Sequence, residues 1–361
     1  METQSRTRSP ADSPLPTPER QALVAGLASF QKPVLHRSLL QLGVTLGAYV
    51  GLVALMYASL HISVWLTLAL AVPTAGFVVR LFIIQHDCGH ASFFGSRRAN
   101  EAVGWLCSLV TYTPYANWRR QHAGHHAVWN NLDQRHSGAD IYSSCLTVRE
   151  YEALTPRQQW LYRAARHPVV AQLILPPLVF LVLYRVPFDT PKSWRKERRS
   201  VYLTNVALAC LLAALVLLFG PEQVLAVQLP IMVLASITGV WLFSVQHKFE
   251  ASQWSRQQQW TAVNAALHGS SWLRLPRLLQ WFTGSIGFHH VHHLLPRVPN
   301  YRLQACHAAG PAFANVTTLS LRDAFRAPSY ALWDEAAGRM VRFPRRPNRL
   351  HPGRESAISE R

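Results

Sequence analysis

Histidine is the residue in this sequence best placed to do chemistry. It comes in three clusters: HDCGH at His86–His90, HAGHH at His122–His126 and HHVHH at His289–His293. On a helix, residues at i, i+3 and i+4 share one face. His86 and His90 stand at i and i+4 and point the same way, while Cys88 at i+2 points away. His122, His125 and His126 fall at i, i+3 and i+4, and His289, His292 and His293 repeat that pattern. His290 lies about 100° off the shared face and reads as structural. The arrays offer eight convergent imidazoles. Imidazole suits iron, zinc, copper and nickel. Eight nitrogens exceed what one ion takes, so the spacing predicts a two-metal centre. A lone histidine is more often structural than ligating. Two HxxHH arrays and an HxxxH array in one chain are a different matter.

These arrays must be carried by something, and the composition says what. Of 361 residues, 49% are hydrophobic and only 15% charged, which suits a membrane protein. The net charge of +18 fits either nucleic acid or an anionic membrane surface. The basic residues lie beside long apolar runs and no nucleic-acid motif is present, so a nucleic-acid partner is excluded. The five cysteines (88, 107, 145, 210 and 306) are scattered without a CxxC pair, which predicts reduced thiols.

Four apolar runs, at about 38–60, 62–84, 201–219 and 223–245, are long enough to span a bilayer. They pair into two hairpins whose turns carry no Lys or Arg, while the flanks carry Lys32, Arg37, Arg97, Arg98 and the KSWRKERR stretch at 192–199. The positive-inside rule then places the outer ends, both termini and every histidine cluster in the cytoplasm. The one charge in the second run, Arg80, is expected to snorkel to the interface. The run at 101–115 is too short to cross comfortably and reads as interfacial or partly embedded. The run at 168–184, broken by Pro176–Pro177, should enter and return or lie in the interface. Residues 272–288 read as one amphipathic interfacial segment. Residues 1–33 read as a disordered cytosolic tail, 34–340 as the membrane domain and 341–361 as a polar tail. The expected fold is all-α: an integral membrane, two-hairpin four-helix bundle with a cytoplasmic helical cap holding the metals.

Metals at the rim of an apolar bundle suggest oxygen chemistry on a lipid tail. An unactivated C–H bond needs a metal oxidant, because side chains alone cannot break it. Zinc, being redox-silent, would suit hydrolysis instead.

The words HDCGHASFF at 86–94, WRRQHAGHH at 118–126, VQHKFE at 245–250 and GFHHVHHLLPRVPNYRL at 287–303 resemble the membrane fatty acid desaturases of the acyl-lipid, omega-6 or Δ12-type branch. The likeness covers roughly 35–320. It implies two irons held by His86, His90, His122, His125, His126, His289, His292 and His293. His247 is the ninth candidate, because it follows the last span and precedes the third cluster. Asp87 is a candidate to orient a ligand histidine or to cap a helix. Arg119 and Arg120 read as cytoplasmic anchors more than headgroup ligands, and Asn300, Tyr301 and Arg302 as shaping the region after the last ligands. His136 and His268 are not expected to ligate. The resemblance further implies O₂ as oxidant and a fatty acyl lipid, acyl-CoA or acyl-carrier substrate that gains a cis double bond. No cytochrome b5 domain is read in the chain; His351–Pro–Gly–Arg lies in a short polar tail. Electrons are therefore expected from a separate ferredoxin or cytochrome b5. A bacterial inner membrane is the expected location. The nearest rival is a diiron hydroxylase or ketolase acting on a lipid or carotenoid. A metal transporter would instead place ionisable residues at mid-span, where the four runs have almost none.

Overall fold

Uninterrupted apolar sequence sets the architecture, because such runs hide their backbone polarity only as helices. The computed structural model describes residues 17–135 and 144–344, with side chains from Ala22 onward. In chain order the first helices are α1 (Thr17–Leu27), α2 (Leu35–Ser59), α3 (Val64–Gly89), α4 (Arg97–Thr111) and α5 (Tyr115–Val128). Short helices α6 (Val148–Glu152), α7 (Pro156–Ala165) and α8 (Leu175–Leu181) precede the long α9 (Arg195–Phe219) and α10 (Pro221–His247). The remainder is α11 (Ala262–Gly269), α12 (Arg277–Phe282), α13 (His289–Leu294), α14 (Leu303–Ala309) and α15 (Leu321–Arg326). Strands are two or three residues long, Leu146–Thr147 with Leu332–Asp334 and Arg339–Val341, and Trp272–Leu273 with Thr318–Leu319.

Helices α2, α3, α9 and α10 are each long and apolar enough to cross a membrane. They form the expected two hairpins. Ser63 caps α3 by accepting from Trp65 N, and Gly220, at φ 91°, turns the chain into Pro221. Tyr57 at the end of α2 stacks on Phe219 at the end of α9, ring centres 4.0 Å apart. That contact brings both turns to one end and leaves His86 and His247 at the other. Helix α3 is the axis of the bundle: 56% of its apolar window is buried, against 39% for α10 and 17% each for α2 and α9. The outer faces keep side chains such as Leu217 and Leu218 exposed at 88% and 74%, the pattern of helices facing lipid.

The two ambiguous runs dip into the bundle. Helix α4 descends until Tyr112, left-handed at φ 54°, reaches Gln228 of α10 with its hydroxyl at 3.5 Å. Helix α5 then climbs back to the histidine end. The second dip starts with Gln172 beside Ser244 (3.2 Å) and ends with the Arg185 carbonyl accepting from Asn205 at 2.6 Å. A bend of 49° separates α7 from the stretch Val170–Arg185. The chain then returns over 186–194, where Thr190 donates to Asn117 (2.9 Å) and Gln121 to Asp189 (2.7 Å).

Several expectations are corrected. The tail reading of 1–33 fails from Thr17 onward: α1 folds, and Leu27 is buried with Leu303 and Phe313 because its helix presents Leu23, Val24 and Leu27 to that cluster. At the other end the chain stays packed to Pro344, whose carbonyl accepts from Arg163; later residues lie outside the described ones. Arg80 does not snorkel. It is buried, donates to Thr45 Oγ1 at 3.2 Å and to the Trp281 carbonyl, and lies over the Trp281 ring. Residues 272–288 are not one amphipathic segment. They form a strand, the short α12, and a left-handed turn at Gly284–Ser285. Arg119 pairs with Glu101, and Arg120 with Glu197 (3.4 Å) while covering Trp194, so both tie the cap together.

The turn into α13 is packed directly against backbone. Leu273 N donates to Gly287 O at 2.8 Å, and a Cβ on Gly287 would lie 2.4 Å from Leu273 O. We therefore expect Gly287→Ala to cost about 1–3 kcal/mol by overpacking against rigid backbone. Gly47→Ala, on an open face of α2, meets no atom within 4 Å and should be neutral or mildly stabilising. Thermal unfolding of the detergent-solubilised variants checks both.

Candidate metal centre

Each histidine reaches the site for a local reason. His86 sits in the last turn of α3 and His90 caps it. His122, His125 and His126 occupy one face of α5, which Pro114 starts. His247 ends α10. His289, His292 and His293 line the short α13. Four elements thus converge at the end opposite the hairpin turns.

The convergence resolves into two sets. His86, His90, His122, His126 and His292 place one ring nitrogen each within 4.8 Å of one another, and so do His125, His247 and His293. His289 joins the second set, its Nε2 lying 2.9 Å from that of His247. In the first set, Nε2–Nε2 distances are 3.0 Å for His86–His292, 3.1 Å for His122–His126 and 2.9 Å for His126–His292. In the second, His247 Nε2 lies 3.1 Å from His125 and 3.3 Å from His293. In both HxxHH helices the i and i+4 residues share a set, and the i+3 residue serves the other.

Hydrogen bonds cannot account for this arrangement. A neutral imidazole nitrogen offers one proton or one lone pair. His247 Nε2 nevertheless faces three other Nε2 atoms, and His90 Nε2 is buried with no partner among the described residues. One cation accepts all the lone pairs of a set. Imidazole nitrogens about 2.1 Å from a common ion and at right angles lie about 3.0 Å apart, the separation seen here. The residues fit two ions.

The surroundings favour the neutral form of several of the imidazoles. Burial, reinforced by neighbouring histidines, holds His122, His126, His292 and His293 well below the usual imidazole pKa. Trp118 stacks on His122 at 4.8 Å, and Trp129 tilts over His247 at 4.1 Å. Asp87 bridges His86 and the segment after α13. Its Oδ1 lies 3.2 Å from His86 Nδ1, which leaves His86 Nε2 facing the site. Its Oδ2 accepts from Asn300 N at 2.7 Å and Asn300 Nδ2 at 2.8 Å. Asn300 Oδ1 in turn accepts from Gln41 of α2 at 2.9 Å. Sequence spacing gave no signal for this role of Asn300 or for Gln41.

The remaining expectations sort themselves. His290 stands outside both sets, its Nε2 2.9 Å from His307 Nδ1, and burial takes it down to about 3. His268 is outside both sets as well. His136 and His351 lie outside the described residues. Cys88 packs with Phe93, Phe94 and Cys107 and belongs to neither histidine set, and all five cysteines are free. Tyr301 and Arg302 shape the region as expected, the Tyr301 hydroxyl accepting from Val34 N at 2.9 Å and Arg302 donating to Ser29 O at 3.2 Å.

A cleft opens onto the histidines. His86, His122, His125 and His289 form part of its wall. The rest is largely hydrocarbon from α3, α8 and α10, including Val79, Phe180 and Val240, and Gln121 and Asp189 lie at its exposed end.

Comparison with known proteins agrees with this geometry. The fatty acid desaturase family model matches residues 63–319. The chain is 44% identical over 325 residues to a fatty acid desaturase of Bacillus subtilis (strain 168), spanning 90% of this chain and 91% of that protein. It is 25% identical over 284 residues to an sn-1 oleoyl-lipid 12-desaturase of Anabaena variabilis, 72% of this chain and 73% of that one. It is 26% identical over 276 residues to a chloroplastic sn-2 acyl-lipid omega-3 desaturase (ferredoxin) of Helianthus annuus, 70% of this chain and 58% of that one.

Two measurements probe the site. Asn300→Ala frees Asp87 and should weaken metal binding by about 10–100-fold, whereas His290→Ala should leave the number of bound ions unchanged; metal titration of purified protein reads both. The pH dependence has a defined sign. Unfolded histidines take up protons near pH 6.5 while these folded ones do not, so the unfolded state binds more protons. Chelator-treated protein should lose stability as pH falls through about 6.5, read as its melting temperature across that range.

Proposed function

The chain belongs to the fatty acid desaturase family, and from that premise we propose that it introduces a cis double bond into a fatty acyl chain at two histidine-bound irons. The observation that carries this reading is the cleft. A largely hydrocarbon slot between α3, α8 and α10 ends on His86, His122, His125 and His289. Such a slot takes an acyl tail and delivers its methylenes to the metal-binding nitrogens.

His86, His90, His122, His126 and His292 hold one iron, and His125, His247, His289 and His293 the other. Iron supplies the O₂-dependent oxidising power that breaks unactivated C–H bonds. The protein supplies the rest. Its neutral imidazoles donate lone pairs without first losing a proton. Asp87 holds His86 in the tautomer that points Nε2 inward. The apolar walls exclude water and fix the tail in one line. The polar pair Gln121–Asp189 marks the end where the acyl carbonyl and its carrier remain outside.

The carrier is a membrane lipid, a choice supported by the acyl-lipid activities that the Anabaena and Helianthus relatives carry in their names. Acyl-CoA and acyl-carrier protein are the alternatives. Electrons come from a separate donor, ferredoxin ahead of cytochrome b5, supported by the Helianthus name. The protein sits in a bacterial inner membrane with the histidine end and both termini cytoplasmic. Lys and Arg residues at that end and none in either hairpin turn support this orientation. Residues 34–340 form the catalytic domain, with α1 packed against it.

Lipid analysis of cells expressing the chain decides the matter. New unsaturated acyl chains should appear with the wild type and vanish with His125→Ala and with His289→Ala. The purified wild type should carry close to two irons per chain. Hydroxylated lipids would move the enzyme to the hydroxylase chemistry, and zinc in place of iron would end the O₂ reading.

A further inference from the structure

A second opening lies between α4 and α9. Arg97, Arg98, Glu101, Ala102 and Trp105 of α4 line it together with Lys196 of α9. None of them lines the cleft that ends on the histidines. Arg98, Glu101, Ala102 and Trp105 stand at i, i+3, i+4 and i+7 and so share one face of α4.

The charge of this groove is one-sided. Glu101 is already paired with Arg119 of α5. Arg97, Arg98 and Lys196 are exposed, and none has an ion pair or a side-chain hydrogen bond among the described residues. The first turn of α4 carries no acidic residue to meet the positive end of its dipole. Polarity then changes along the groove. Trp105 lies about 10 Å further along α4 than Arg98 and is 43% exposed. Leu106 beside it is exposed, as is Leu203, two turns past Lys196 on α9. Cations at the rim, an aromatic ring below and hydrocarbon beneath match the phosphate, glycerol and acyl layers of a phospholipid in order. A free phosphate would use the rim alone, and an acidic protein has no use for the hydrocarbon.

We propose that this groove binds the phosphate of an anionic phospholipid, held as a structural lipid and not as substrate. The two helices that wall it are the ones that grip α5. Glu101 takes Arg119, and Glu197, next to Lys196, takes Arg120 at 3.4 Å. A phosphate shared by the α4 arginines and Lys196 cross-links α4 to α9. It thereby braces α5, the helix that carries His122, His125 and His126.

Phosphatidylglycerol is the probe. The full-length protein in neutral, phosphate-free detergent is titrated with it and followed by melting temperature, beside phosphatidylcholine and inorganic phosphate. The variants are Lys196→Gln alone and the groove triple Arg97→Gln, Arg98→Gln, Lys196→Gln. An equal-charge control triple carries Arg277→Gln, Arg322→Gln and Arg326→Gln, on α12 and α15. Phosphatidylglycerol should raise the wild-type melting temperature saturably, and neither phosphatidylcholine nor inorganic phosphate should do so. Its apparent affinity should fall about a hundredfold in the groove triple, roughly fivefold for each cation near a membrane surface. Lys196→Gln should lose an intermediate amount and the control triple almost none. Equal losses in the two triples would make these residues general surface anchors and overturn the proposal. So would a wild type indifferent to phosphatidylglycerol, or one stabilised as well by inorganic phosphate. A groove triple that keeps its lipid shift but no longer binds an acidic redox protein would give the groove to a protein partner instead. All these readings are taken on protein without added metal, so failure of the iron reading leaves this test standing.

Discussion

Eight imidazole nitrogens face one another across roughly three ångströms, with the buried His90 Nε2 beside them. Without cations between them their lone pairs repel and cannot all be paired. Holding such a set in place before a metal arrives requires rigid support from several directions at once. Much of the fold can be understood as that support. Helices α3 and α10, the two most buried spans, bring His86 and His247 to one level. The dipping α4–α5 pair sets the second cluster opposite them, and the tight turn at Gly287 sets the third.

The support is polar where the bundle is otherwise apolar. The chain Gln41–Asn300–Asp87–His86 crosses from α2 through the segment after α13 into α3. Arg80 links α3 to α2 and to α12 by its contacts with Thr45 and Trp281. Hydrogen bonds in a low-dielectric interior are strong when satisfied and costly when broken, so these contacts specify one arrangement of helices that hydrocarbon packing alone would leave loose. Lipid cannot supply such specificity, since exposed Leu217 and its neighbours are as content against acyl chains as against protein.

The same contrast shapes the cleft. Its walls are largely hydrocarbon, which accepts an acyl tail, and its inner end is imidazole. Trp118 and Trp129 close over the His122 and His247 rings. Hydrocarbon wall and imidazole nitrogens therefore meet across a short boundary where polarity changes abruptly.

Much of this was legible in the residues themselves. Helical spacing alone picked out eight of the nine convergent histidines and set Cys88 and His290 aside, because a 3.6-residue turn decides which side chains share a face. Apolar length alone marked the four spans, because a bilayer has a fixed thickness. Periodicity could not divide the histidines between two sets. That division depends on where neighbouring helices stand around α5 and α13, which sends the i+3 histidine of each to the opposite set. Nor could it reveal that Asn300 holds Asp87, 213 residues apart in sequence, that Arg80 turns inward, or that α1 packs into the cap. Local sequence determines what a segment can be and which way its side chains point; partners that are distant in the chain are chosen only when the helices pack, and here packing decided which nitrogens share a set and which polar groups hold them.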